Sequence, residues 1–136
     1  MKKLLTSLLA VATMFTLTAC GGDSNADKPY AGQELHLYNW GEYMGENFIS
    51  GFEDLTGAKV VVDYFDSNET MYIKVANGEP YDILVPSDYM IERLIKEDLI
   101  QKLDKDKITC MDELVDAIKG LPYDPNNDYS IPYFWG

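Results

Sequence analysis

Lys59-Val-Val-Val-Asp-Tyr-Phe65 is the stretch on which the architecture turns. Three β-branched residues followed by two aromatics predict a strand. Just upstream, Phe48, Ile49, Phe52 and Leu55 recur at helical spacing, and Gly57 stands where a helix C-terminal glycine belongs. Further back, Glu34-Leu-His-Leu-Tyr-Asn-Trp40 reads as a first strand. Downstream, Ser67 or Asn68 can cap a helix running to about Asn77, with Met71, Tyr72 and Val75 on its inner face. Gly78 and Pro80 stop that helix.

Tyr81-Asp-Ile-Leu-Val85 is a compact apolar run, the pattern of a buried parallel strand. Pro86-Ser87 closes it, and Met90, Ile91, Leu94 and Ile95 mark a third helix. Met111, Leu114, Val115 and Ile118 suggest a fourth helix. Pro122 to Asp128 is dense in turn formers, and Ser130 to Trp135 reads as another strand. The alternation β-α-β-α-β-α-α-β implies an α/β layer with a mostly parallel sheet. Ser130 to Gly136 is apolar and lacks a frayed polar end, so the chain is expected to be a fragment or a truncated product.

The N-terminal end carries a different message. Lys2 and Lys3 precede a nearly uncharged apolar run from Leu4 to Leu17, and Thr18-Ala19 places small residues before Cys20. A basic start, a short apolar run and small residues at the cut describe a signal peptide over residues 1–19. The run is shorter than the ~20 residues of a membrane-spanning helix. Leu17-Thr-Ala-Cys20 resembles the lipobox of bacterial lipoproteins, which implies lipidation at Cys20 and an extracytoplasmic, membrane-tethered location. Residues 20–32, rich in Gly, Ser, Asn, Asp, Lys and Pro, read as a flexible tether, and residues 33–136 as the folded part.

Removing residues 1–19 leaves 117 of 136 residues, a size suited to one modest domain. The removed segment holds two of the eleven basic residues and none of the 23 acidic ones, so the formal charge moves from −12 to −14. That balance argues against nucleic acid and favours cationic partners. With Cys20 assigned to lipid, Cys110 is left alone and no internal disulfide forms. No zinc-type Cys/His cluster is visible, and His36 within an apolar strand reads as structural. One histidine allows no Ser/His/Asp arrangement, and no Gly-rich phosphate loop follows a strand, so the chain does not read as an enzyme.

Five motifs in register then point to one family. Tyr38-Asn-Trp-Gly-Glu-Tyr43, Asp66-Ser-Asn-Glu-Thr-Met-Tyr72, Tyr81-Asp-Ile-Leu-Val-Pro-Ser87, Leu99-Ile-Gln-Lys-Leu-Asp104 and Asp124-Pro-Asn-Asn-Asp-Tyr-Ser-Ile-Pro-Tyr133 closely resemble the spermidine/putrescine-binding proteins of bacterial polyamine ABC transporters. The resemblance implies a two-lobed periplasmic-binding fold of which residues 33–136 form an incomplete N-terminal lobe. It also implies a polyamine ligand, spermidine or putrescine, and delivery to an ABC permease.

The residues agree with that chemistry. In open α/β sheets, ligands bind beyond the carboxyl ends of the strands. Asn39–Tyr43 and Ser87–Tyr89 are the two segments expected there. A polyamine needs aromatic walls for its methylenes and acceptors for its ammonium groups. The resemblance places ligand contacts at Trp40, Glu42, Tyr43, Ser87 and Tyr89. Two positions depart from the family. Gly41 stands where enterobacterial spermidine binders carry a threonine, and Asp88 where a neutral residue is common; Asp88 reads better as a helix cap than as a ligand acceptor. Without the resemblance, Trp40 and Tyr43 would read as packing, Ser87 as a cap and Glu42 as a solvated charge. A binder of another small solute with the same fold, or a non-binding surface lipoprotein, are the alternative readings.

Overall fold

The computed structural model describes residues 27–134. The expected signal segment, Cys20 and Trp135 lie outside the described residues. Three strands, β1 (Glu34–Trp40), β2 (Lys59–Phe65) and β3 (Ile83–Leu84), form one parallel sheet in the order β2-β1-β3. β1 and β2 pair along their whole length, from Glu34 opposite Lys59 to Trp40 opposite Phe65. β3 joins the other side of β1 at two positions, Leu37 with Ile83 and Tyr38 with Leu84. The helices α1 (Phe48–Thr56), α2 (Asn68–Ala76) and α3 (Asp88–Lys96) each follow a strand, as parallel pairing requires.

Local chemistry sets the helix ends. Gly57 takes φ 79°, and its N–H closes α1 on the Glu53 carbonyl. A β-carbon there would meet Lys28 Cβ at 2.7 Å, so glycine serves both the left-handed turn and the close approach. Ahead of β1, the Tyr30 N–H donates to the Thr56 carbonyl at 2.9 Å. Ser67 caps α2 by accepting the Thr70 N–H at 3.2 Å.

Alternation along β1 sends Tyr38 and Trp40 to one face of the sheet, Leu37 and Asn39 to the other. The core lies on the Tyr38 face, where Tyr38, Phe65, Met71, Met90 and Leu94 are all buried. α2 supplies Met71 and α3 supplies Met90 and Leu94, as the spacing predicts. Trp40, Tyr72, Val75, Tyr81 and Leu84 pack against this cluster.

The opposite face is less fully covered, although Leu37 and Asn39 are buried on it. α1 has the expected apolar periodicity but buries none of its residues, and Phe48 and Leu55 stay largely exposed. Leu35, Leu37, Ile49, Phe52 and Ile131 line a broad groove there.

Three elements differ from the sequence reading. The Tyr81–Val85 run contributes only Ile83–Leu84 to the ladder; Val85 still donates its N–H to the Tyr38 carbonyl at 3.1 Å. In place of a helix around Met111–Ile118 there are two short 3₁₀ turns, Thr109–Glu113 and Asp116–Ile118, with no buried residue. Across this stretch Met111, Leu114 and Ile118 are half buried and Val115 is exposed. Ser130–Phe134 forms no ladder, and Pro132 has no N–H to offer one.

The turn-rich segment behaves as read. Asp124, 3 % exposed, accepts hydrogen bonds from the N–H groups of Asp128, Tyr129 and Ser130 and from Ser130 Oγ, all at 2.8–2.9 Å. Asp128 pairs outward with Lys102 and Lys105. Those two bonds, Lys105 first, hold its carboxyl below the ordinary range. His36 is half exposed and lies 3.7 Å from Glu34. Among the described residues no cluster of His, Cys, Asp or Glu could hold a metal. No described helix is long and apolar enough to cross a membrane.

Candidate functional site

Because all three strands run parallel, their carboxyl ends share one edge of the sheet. Among the described residues the chain leaves that edge three times, at Gly41–Met44, at Asp66–Ser67 and at Val85–Ser87. Every ligand-contact residue implied by the sequence falls on the first or the third of these exits or within two residues of it.

Trp40 ends β1. It is partly buried, and its ring centre lies 4.5 Å from that of Phe65, its partner across the ladder. Tyr43 stands over the same corner, 6.0 Å from Trp40 and 5.1 Å from Phe134 by ring centres. Its carbonyl accepts a hydrogen bond from the Tyr133 hydroxyl, which ties the β1 exit to the last described residues. Glu42 lies exposed between the two rings' backbones at φ 62°, a left-handed conformation that costs a non-glycine residue energy. The left-handed conformation at Glu42 turns the loop after Trp40. Trp40, Gly41, Tyr64, Phe65, Asp66 and Thr70 border a shallow opening beside this corner.

Ser87 and Tyr89 occupy the third exit. Ser87 has the N-cap position of α3, with extended backbone, yet its hydroxyl makes no cap bond. Its Oγ instead accepts from Asn68 Nδ2 at 3.0 Å. Asp88 begins α3, where a carboxylate is favoured by the helix dipole, and accepts the Tyr89 N–H at 2.7 Å. Tyr89 is 51 % exposed, with its hydroxyl accepting from Asn68 at 3.0 Å and donating to Glu69 Oε1 at 3.0 Å.

The structure therefore gathers the five residues into two groups on one edge, Trp40, Glu42 and Tyr43 at the β1 exit and Ser87 and Tyr89 at the β3 exit and the start of α3. The β2 exit backs both. Phe65 supports the first group and Asn68 holds the second, three residues apart in the chain. From the sequence alone, Asn68 reads only as a cap or start of α2. Its partners lie 19 and 21 residues away, beyond any local pattern.

Beneath the edge, Tyr81 stacks on Tyr38 at 4.5 Å and donates to Asp63 Oδ2 at 2.7 Å. That bond, with the nearby Lys74 charge, holds the Asp63 carboxyl below its ordinary 3.8. Burial, then the Asp63 bond, pushes the Tyr81 phenol up to about 12.

Aromatic faces and hydroxyls beyond the carboxyl ends of a parallel sheet, with acidic groups beside them, make a surface suited to holding a small solute. The fold matches solved solute-binding proteins. A spermidine/putrescine ABC transporter protein from Listeria monocytogenes superposes with TM-score 0.75 at 43 % identity, over 76 % of this chain and 33 % of that one. The spermidine/putrescine substrate-binding protein of Streptococcus pneumoniae gives TM-score 0.74 at 43 % identity, over 76 % and 32 %. The TpPotD lipoprotein of Treponema pallidum gives 0.71 at 34 % identity, over 75 % and 33 %. By class, the chain is an α/β portion of a periplasmic-binding-protein fold.

Among curated proteins, the spermidine/putrescine-binding periplasmic protein of Escherichia coli is 40 % identical over 139 aligned positions, covering all of this chain and 38 % of its own length. The putrescine-binding periplasmic protein SpuD of Pseudomonas aeruginosa is 37 % identical over 127 positions, 91 % of this chain and 35 % of its own. No family model matches the chain. On sequence and fold together, the chain belongs to the family of bacterial spermidine/putrescine-binding periplasmic proteins. It spans little more than a third of the length of these curated relatives.

Proposed function

We propose that the chain is part of an extracytoplasmic lipoprotein that binds spermidine or putrescine and delivers it to an ABC permease. The observation that carries this reading is the convergence of Trp40, Tyr43, Ser87 and Tyr89 on one carboxyl edge of the sheet, with Glu42 in the loop between the first two. Trp40, Tyr43 and Tyr89 would wall the methylene chain, each cation–π contact contributing about 0.5–2 kcal/mol. Glu42 and Ser87 would supply acceptors for the ammonium groups. The names of the relatives support the ligand class and a periplasmic setting.

Residues 1–19 would serve as the export signal, Cys20 would carry the lipid, residues 20–32 would tether, and residues 33–136 would make up part of the first lobe. A lipoprotein relative in Treponema pallidum supports the anchor. Cys20→Ala should leave unprocessed precursor in the membrane fraction. A wild type that is soluble and cut elsewhere would remove the anchor.

Titration calorimetry tests the ligand. The full-length protein should bind spermidine or putrescine at physiological salt. Residues 33–136 alone should bind weakly, and the heat should fade with added salt, because these contacts enclose the ligand from one side. A full-length protein that ignores polyamines and binds another solute would overturn the reading.

A further inference from the structure

Asn68 is 4 % exposed and opens α2, yet none of its side-chain bonds serves that helix. Ser67 already caps α2 through the Thr70 N–H. The Asn68 amide reaches across to the β3–α3 junction. Its Oδ1 accepts the Ser87 N–H at 3.0 Å, and its Nδ2 donates to Ser87 Oγ and to the Tyr89 hydroxyl, each at 3.0 Å. Both amide hydrogens and the carbonyl oxygen are thus engaged. A buried primary amide is costly to desolvate, so its placement here is repaid only through those partners. Helix initiation alone would be met by many residues at this position.

From this geometry we infer that Asn68 is a positioning residue, which fixes what Ser87 and Tyr89 present to a ligand. The inference rests on the polyamine reading for the identity of that ligand. With its hydroxyl accepting from Asn68 and donating to Glu69, Tyr89 has no free hydrogen to donate and offers its ring face. A ring face attracts an ammonium group or an aliphatic chain, whereas a free hydroxyl hydrogen would face a cation unfavourably. Ser87 Oγ spends one lone pair on Asn68 and keeps a second for an ammonium donor. The same amide ties the β2 exit to the β3 exit, so that β3, held to β1 by two ladder positions, keeps its place at the edge.

Two readouts test this in the full-length protein. In Asn68→Ala, exchange of the Ser87 amide should accelerate by about tenfold or more, while the amides of Met71 and Leu94 keep their protection. Spermidine affinity should fall by about tenfold, but by less than about twofold when Ser87→Ala and Tyr89→Phe are already present, since one pathway carries the effect. Unchanged Ser87 exchange, or an equal loss of affinity in both backgrounds, would overturn the inference. Where the wild type shows no spermidine binding, the polyamine reading fails, and the exchange measurement alone decides for Asn68. If Asn68→Ala does not fold, Asn68→Asp replaces it. That variant suits a helix start and keeps the acceptor for Ser87 N–H, but it loses the donor to Tyr89. It should retain Ser87 protection and free the Tyr89 ring to flip faster by NMR; a flip rate equal to wild type would count against the role.

Discussion

Trp40 and Phe65 face each other across the β1–β2 ladder with ring centres 4.5 Å apart and planes tilted by 58°. Phe65 in turn meets Tyr38 edge-on at 4.9 Å, inside the core. One wall of the candidate site is therefore the outer surface of the core. Phe65→Ala should cost about 3–5 kcal/mol by cavity formation. It should also shift Trp40 emission to the red, read in a Trp135→Phe background. Phe65→Leu should cost less and leave the emission nearer to wild type. Emission that stays put in Phe65→Ala would mean that Trp40 is held by something else.

The Tyr81–Asp63 bond predicts a two-sided pH profile. The folded-state pKa of Asp63 is depressed, so its contribution is present above about pH 4 and lost as pH falls through the lower folded value. The folded-state pKa of Tyr81 is raised, so its contribution is present below about pH 10 and lost as pH rises through about 12. The stability advantage of wild type over Tyr81→Phe should accordingly be level from about pH 5 to 9 and shrink at both ends. Asp63 is half exposed and its pairing is screened, so the plateau should be small. Denaturant titrations at a series of pH values read it directly, and a flat difference across the whole range would contradict the assignment.

Gly41 sits between Trp40 and Glu42 and requires no glycine geometry. A β-carbon built there meets nothing within 4 Å, and its backbone lies outside the left-handed region. Gly41→Thr should therefore fold with stability within about 0.5 kcal/mol of wild type. If the threonine hydroxyl reaches a polyamine, it adds one hydrogen bond of about 0.5–1.5 kcal/mol, or about two- to tenfold in affinity. Calorimetry with spermidine and putrescine side by side would show whether the gain favours one of them. Equal affinities before and after substitution would leave position 41 without a role in ligand choice.

Much of this was legible in the residues. The β2 run, the Gly57 stop and the Ser67 cap are local signals, and each appears where its chemistry demands. The site residues were placed by family resemblance, and the parallel sheet brings them to one edge. What escaped the sequence was non-local. Asn68 looks like any helix start until Ser87 arrives beside it. The Met111–Ile118 pattern has helical spacing but folds as 3₁₀ turns with its apolar residues at most half buried, and periodicity does not say how deeply a face will be covered. α1 makes the same point from the other direction, forming a helix with Ile49 and Phe52 half buried and Phe48 and Leu55 exposed.

The strand order β2-β1-β3 has a consequence for how the chain assembles in time. β1 neighbours both other strands, so each of them adds to the same template. β1 and β2 need close only the short interval spanned by α1, and they gain seven paired positions for it. β3 must wait for α2 to pass over the sheet, and it then gains two. Loop closure of that kind is repaid slowly. As the chain folds, the β1 exit with Trp40 should thus be set early, and the Ser87–Tyr89 exit should be the late step, completed when the Asn68 amide finds its partners.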